Sequence, residues 1–257
     1  MRHELAGGWV EFDVDAHGIG RVTFHHPSSN ALPGAVLNGL AEAIHSAAAH
    51  ADVRVVVLAS HGEKAFCAGA SFDELRAIST PEEGLAFFSG FAHVINAMRT
   101  CPKFVLARIQ GKAVGGGVGL AAAADYAFAT HHASVKLSEL AVGIGPFVVG
   151  PAVERKMGKA AMTELAIDAT AWRSAEWACA HGLFQTLTED LPSLDREVEA
   201  LALRLAASNP EAMADLKRIA WEGTEHWDRL LLERAAISGR LVLSDFTRAA
   251  LAAFAQR

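Results

Sequence analysis

No stretch restricts this chain as strongly as the one from Val105 to Asp125. Apolar, β-capable residues lead into three consecutive glycines (Gly115, Gly116 and Gly117), which open an alanine-rich run suited only to a packed helix. A strand that enters a helix through a glycine turn leaves the first backbone N–H groups without intrahelical partners, at the positive end of the helix dipole. With no side chains in the way, a ligand can approach that backbone closely. Such a turn suits an anion, or an oxygen that becomes one. Close helix–strand packing needs the same small residues, so this stretch alone leaves both readings open.

Two phosphate-binding readings fail on spacing. A dinucleotide turn needs G-x-G-x-x-G, and Leu120 stands at the last glycine position if Gly115 is the first, although Glu139 lies about twenty residues past Gly119, where a ribose-binding acid would be expected. A P-loop needs Gly-Lys-Ser or Gly-Lys-Thr, and neither occurs in the chain.

A second stretch, Ala65-Phe-Cys-Ala-Gly-Ala-Ser-Phe-Asp-Glu-Leu75, follows the apolar run Val53–Ala59 and again sets small residues before a helix-like segment. Taken with Gly115–Gly119 it resembles the crotonase family of enoyl-CoA hydratases and isomerases. The two halves of that family's signature read roughly A-F-[CAS]-A-G-A-D and N-G-x-[AV]-x-G-G-G-x-[EG]. Both occur here in order, and the resemblance covers essentially the whole chain.

Composition agrees with a compact α/β protein. The 257 residues are 51% hydrophobic and 20% charged, which excludes the disordered class. A formal net charge of -6 argues against a general nucleic-acid binder. Three cysteines (Cys67, Cys101, Cys179) form no CxxC pair and read as reduced thiols. No apolar run approaches the roughly 18 residues of a membrane span, and the start lacks a signal peptide, so a soluble cytoplasmic protein without membrane contact is expected. Twelve histidines show no metal-ligand spacing such as HExxH, so no metal site is expected; His25-His26 and His131-His132 sit at turn-like places.

Alternation over 9–13 and 19–24 around Asp15-Ala-His-Gly18 predicts a β-hairpin. A helix is expected from Ala31-Leu-Pro-Gly34 to about Ala49, and Val53–Ala59 reads as a strand buried on both faces. A second helix spans about Pro81–Met98. Short strands follow at Tyr126–Thr130 and Ser134–Leu137, and helices dominate from Pro151 onward. The pattern implies an α/β core followed by a helical part. The resemblance sharpens this to a crotonase-like spiral of ββα units over 1–190 and a C-terminal helical subdomain over 191–257, with those helices at the contacts of a homotrimer or a dimer of trimers.

The resemblance also implies the chemistry, that of fatty-acid metabolism. Its substrate would be an acyl-CoA thioester, with coenzyme A as part of the substrate and no separate cofactor. Moving a proton beside a thioester carbonyl passes through an enolate, whose charge collects on the carbonyl oxygen. Two pre-aimed backbone N–H groups stabilise that oxygen, each contributing roughly 2.7–4 kcal/mol; the matching donors are Ala70 and Gly116. The matching acid–base residue is Glu139, in Leu137-Ser-Glu-Leu-Ala-Val-Gly-Ile-Gly-Pro-Phe147. Its mostly apolar neighbours would desolvate the carboxylate and raise its pKa. A surface glutamate at a strand end is the plainer alternative.

Departures from the family pattern matter as much. Where hydratases carry their first glutamate, two residues after the triple glycine, this chain has Gly119. One carboxylate suffices to shift a proton between carbons but holds an attacking water less well, which favours isomerase over hydratase (lyase) activity; a catalytically silent acyl-CoA binder is a third reading. Ser138 stands where the family has proline, Phe104 where it has a second proline, Gln110 for asparagine and Ser71 for aspartate. Phe147-Val-Val149 reads as a wall of the acyl pocket or as a simple helix start. Substrate contacts are expected from Ala68, Phe72, Leu75, Gly115, Gly117, Gly119, Pro146 and Phe147. The family's A-F-x-E-K ending adds Phe254 and Arg257. Arg21, Lys64 and Lys112 are candidates for the CoA phosphates, or solvated charges. Cys67 reads as a packed thiol, and Trp221 and Trp227 as core or subunit contacts.

Overall fold

The computed structural model describes residues 2–5 and 7–254, with side chains through Ala253. The chain opens with β1 (Arg2–Leu5), β2 (Gly8–Val14) and β3 (Ile19–His25), an antiparallel meander. Its second turn is the expected hairpin, held because Asp15 Oδ1 accepts from the N–H groups of both His17 (2.8 Å) and Ile19 (3.0 Å). Strand β1 was not anticipated; its four residues are mostly exposed. Helix α1 (Gly34–Ala49) follows.

Three strand pairs then repeat one pattern: β4 (Val55–Ser60) with β5 (Ala65–Cys67), β6 (Val105–Ile109) with β7 (Lys112–Val114), and β8 (Tyr126–Thr130) with β9 (Ser134–Lys136). The first strand of each pair joins a seven-stranded sheet in which β4, β6 and β8 run parallel. The second joins a four-stranded sheet in which β5, β7 and β9 run parallel. Each pair passes the chain to helices: α2 (Phe72–Ala77) and α3 (Pro81–Thr100), then α4 (Gly116–Ala123), then α5 (Gly150–Ile167). This is the expected spiral of ββα units.

The apolar run before the triple glycine is two strands in two sheets rather than one. At the corner, Gln110 Nε2 donates to Ser60 Oγ (2.8 Å) and Ala65 O (3.0 Å), joining the first ββ unit to the second. Helices dominate beyond Pro151, as expected, with two short strands among them. β10 (Arg173–Ser174) pairs with β9, and β11 (Thr186–Thr188) extends the large sheet beside β8, on either side of α6 (Ala175–Ala180).

Strand β4 is buried on both faces, as its sequence requires. Val56 and Leu58 enter the main core, whereas Val55 and Val57 face the amphipathic helix α7 (Leu191–Ala206) through Leu194, Val198 and Ala202. The chain ends in α8 (Pro210–Ala220), α9 (Trp227–Leu241) and α10 (Asp245–Phe254). Helix α9 lies closely on α3: a Cβ placed on Gly84 would stand 2.6 Å from the Gly239 Cα, so only glycine fits on either side.

Helix α3 starts at a capping box, in which Thr80 Oγ1 accepts from Glu83 N (3.2 Å) and the Glu83 carboxylate accepts from Thr80 N (3.3 Å). Thr80→Ala is expected to cost about 1 kcal/mol in chemical denaturation, with an unchanged m-value.

All eight residues of α4 are buried. The stretch that contains it closes on itself, since Asp125 N donates to Val105 O (2.9 Å) and Val105 N to Asp125 Oδ2 (2.7 Å). The same carboxylate accepts from Lys217 Nζ and Trp221 Nε1 (2.8 Å each), which fastens α8 to the base of α4. Lys156 Nζ caps the carbonyls of Ala124 (2.9 Å) and Asp125 (3.0 Å), and its burial pushes its pKa down to about 8. Trp221 and Trp227 pack edge to face at 5.9 Å, as core aromatics. No helix among the described residues is long and apolar enough to cross a membrane.

Candidate active site

The two glycine turns meet. A Cβ on Gly69 would stand 2.9 Å from Val114 O, and one on Gly117 only 2.8 Å from Cys67 Cβ, so side chains at these positions would force the turns apart. The Cys67 thiol beneath them is fully buried, and burial pushes its pKa up to about 12; it is a packing group and not a nucleophile.

The first turn shows why one amide differs from its neighbours. Ala68 N donates to Ser29 O (3.1 Å), Gly69 N to Cys67 Sγ (3.4 Å) and Ser71 N to Leu32 O (3.3 Å). The Ala70 N–H between them has no partner among the described residues, because the parallel bridge Leu32–Ala70 uses only the groups on either side of it. In the second turn Gly115 N donates to Lys136 O (2.9 Å), while Val118 N (2.9 Å) and Gly119 N (3.2 Å) donate back to Gly115 O. Gly115 can do this because it takes φ +52°, a conformation that side chains disfavour. Gly116 begins the helix, and its N–H has no partner among the described residues. Ala70 and Gly116 line the same pocket.

Glu139 lines that pocket too. It heads the short 3-10 turn Leu140–Val142, and its carbonyl accepts from Val142 N (3.2 Å) and Ile144 N (3.0 Å), which fixes its backbone. Its carboxylate reaches the second glycine turn, where a Cβ on Gly115 would lie 3.0 Å from Oε1. The other oxygen, Oε2, is buried without a hydrogen-bond partner. Loss of water therefore dominates, and burial pushes the Glu139 pKa up to about 7. The surface-glutamate alternative does not fit this placement.

Of the other residues expected to touch substrate, Ala68, Phe72, Leu75, Gly115, Pro146 and Phe147 line the pocket. Gly117 and Gly119 lie behind it: Gly117 rests on Cys67, and a Cβ on Gly119 would stand 2.4 Å from Val149 Cγ1. Phe147, Val148 and Val149 are thus at once a pocket wall and the entry to α5. The Phe254 side chain and Arg257 fall outside the described residues. Arg21 is held by Glu199 (2.7 Å) and Asp15 (3.2 Å), far in sequence from either turn. Lys112 lies over the Trp172 ring (5.1 Å) and Lys64 is exposed. Ser71, in place of the family's aspartate, caps α2 by accepting from Glu74 N.

Sequence reasoning missed the part of the pocket made by helices distant in sequence. Phe88 and Phe91 come from α3, and Ser238 from α9. The Phe91 ring touches Gly116 so closely that a Cβ there would lie 2.1 Å from Cε1. Apolar spacing along α3 marks these phenylalanines as inward-facing but does not say that they face a ligand.

The staggered ββα units, followed by C-terminal helices, make up the crotonase fold. The chain belongs to the enoyl-CoA hydratase/isomerase family, whose sequence model matches residues 15–238, and is an enzyme of that family. A Bacillus subtilis (strain 168) protein named as a probable enoyl-CoA hydratase is 29% identical over 202 residues, 78% of this chain and 77% of the relative. An ethylmalonyl-CoA decarboxylase of Xenopus laevis is 27% identical over 144 residues, 56% of this chain and 48% of the relative. The crystal structure of an enoyl-CoA hydratase from Mycobacterium avium superposes with a TM-score of 0.83 at 28% identity, covering 96% of each chain.

Proposed function

We propose that this enzyme shifts the double bond of an enoyl-CoA thioester. In this reading the Ala70 and Gly116 amides hold the thioester oxygen, and Glu139 carries a proton from one carbon to another. One observation supports it above the rest: among the described residues, Glu139 is the only carboxylate that lines the pocket. The position that could supply a second, Gly119, is closed off by Val149. With a single carboxylate, a proton can be taken and returned, but an attacking water has no second anchor. Neither amide has a partner among the described residues, so stabilising an enolate requires no reorganisation of them.

Decarboxylation of a carboxylated acyl group fits less well. Among the described residues no lysine, arginine or histidine lines the pocket, and a second carboxylate buried there would find no counter-charge among them. Assembly as a trimer or a dimer of trimers belongs to the same proposal.

The test offers a 3-enoyl-CoA and a 2-enoyl-CoA of equal length and follows both products. Interconversion of the two supports the isomerase; 3-hydroxyacyl-CoA as the only product would make the enzyme a hydratase. With Glu139 as base, only the ionised form can accept the α-proton. The value of kcat/KM should therefore rise with pH through about 7 and level off above it. A flat profile between pH 5 and 9 would rule out Glu139 as the base.

A further inference from the structure

A second cavity, of about 230 Å³, lies where the chain enters β4, beside the turn between α3 and β6 and the first turn of α8. Its charged lining consists of two cations, Arg54 and Lys103, and no acid lines it among the described residues. Pro210, Met213 and Ala214 of α8 form one wall. None of these residues borders the pocket that holds Glu139.

Arg54 is held in place without being neutralised. Its backbone N–H donates to Gly18 O (2.8 Å), and a Cβ on Gly18 would stand 2.8 Å from Arg54 Cγ, so the stem lies on that glycine. Nη2 donates to Ser208 O (3.1 Å), a neutral acceptor, and Nε is buried with no hydrogen-bond partner. The other arginines that are not exposed, Arg21, Arg99, Arg108 and Arg173, each meet a carboxylate oxygen at 2.6–2.9 Å. Arg54 makes no ion pair among the described residues. Asp15 and Asp52 border a neighbouring hollow that shares Arg54, and Asp15 is engaged by Arg21.

Lys103 gives two of its three donors to Ala47 O (2.9 Å) and His50 O, at the end of α1. Its partial burial, with the Arg54 charge nearby, holds its pKa below the usual lysine value. Pro210 opens α8, so the positive end of that helix dipole faces the same space. Neighbouring cations without a counter-charge oppose one another's ionisation until an anion joins them.

We propose that this cavity binds a phosphate-type anion, inorganic phosphate or a small phosphate monoester, between the Arg54 guanidinium and the Lys103 ammonium. Guanidinium N–H groups match phosphate oxygens in geometry, and Lys103 has a third N–H to donate. The site requires neither acyl chain nor thioester, so it goes beyond the acyl-CoA reading and does not depend on it.

Titration calorimetry with inorganic phosphate, at an ionic strength held constant with chloride, tests the proposal. Wild-type protein is expected to bind phosphate at one site per chain, and Arg54→Gln to weaken that binding on the order of tenfold. Ala214→Glu sets a carboxylate on the cavity wall and leaves both cations in place; it should abolish phosphate binding, and it decides the matter if Arg54→Gln does not fold. Glycerol phosphate is titrated in parallel, and the tighter of the two ligands identifies the source of the anion. Saturating acyl-CoA should leave the affinity for phosphate unchanged. No binding by wild-type protein, an unchanged affinity in either variant that folds, or displacement of phosphate by acyl-CoA would overturn the proposal.

Discussion

Replacing Glu139 by glutamine is expected to lower kcat by 10²–10⁴-fold and, at the same time, to make the protein more stable at pH 8. The loss of rate is the usual contribution of a positioned acid–base group. The gain in stability follows from the same burial that prepares the residue for catalysis. Burial pushes the folded-state pKa to about 7, above the ordinary 4.5 of a free glutamate, so between these values the folded protein holds a proton that the unfolded chain has released. Stability is therefore fully present below the unfolded pKa and is lost as pH rises through the folded one. A neutral glutamine of the same shape escapes that loss. At pH 8 the gain should be roughly 2 kcal/mol, less than the full shift implies because the residue is partly exposed, or about 5 °C in Tm. At pH 5, only just above the unfolded pKa, it should fall to about a quarter of that. Activity assays with melting curves at both pH values check the two halves together. An equal gain at pH 5 and pH 8 would show that the carboxylate is not strained by burial, and an unchanged kcat would remove it from the chemistry.

Much of this site is legible in the sequence because it is built from local backbone. Two short runs of small residues carry the family's signature, and Ala70 and Gly116 are the positions in those runs that match its two donors. Glu139 is legible through the same resemblance; its apolar neighbours agree with desolvation but leave a surface glutamate equally open. What depends on crossings between distant elements is not legible. Phe88, Phe91 and Ser238 face the pocket only because α9 lies on α3 at the Gly84–Gly239 contact, and no spacing within either helix reveals the partner. The split of Val105–Val114 into two strands depends on a hydrogen bond from Gln110 to a serine fifty residues earlier. Strands β10 and β11 are two and three residues long, too short for any alternation to register. Arg21, a candidate for a phosphate, instead pairs with Glu199, a carboxylate far along the chain on α7.

Gly119 and Val149 are expected to behave as one unit, in stability and in reaction. Gly119 occupies the place where the hydratases that this chain resembles carry their first glutamate, but restoring that residue alone should fail. Its Cβ would lie 2.4 Å from Val149 Cγ1 and 2.7 Å from Val149 Cβ, and both residues are buried. Gly119→Glu should therefore cost about 1–3 kcal/mol by overpacking and bring no water addition. Val149→Gly alone should cost a similar amount by opening a cavity. Made together, the substitutions relieve one another, because the nearest remaining atom at 149 is the Cα, 3.7 Å away. The double variant should be more stable than the sum of the singles by about 1–3 kcal/mol. It should also hydrate a 2-enoyl-CoA on the order of 10²-fold faster than either single, since two carboxylates could then hold the water between them. Denaturant titrations of the four proteins give the coupling, and formation of 3-hydroxyacyl-CoA gives the gain. Strict additivity, or a Gly119→Glu single variant that already hydrates as fast as the double, would mean that Val149 does not decide which reaction this pocket performs.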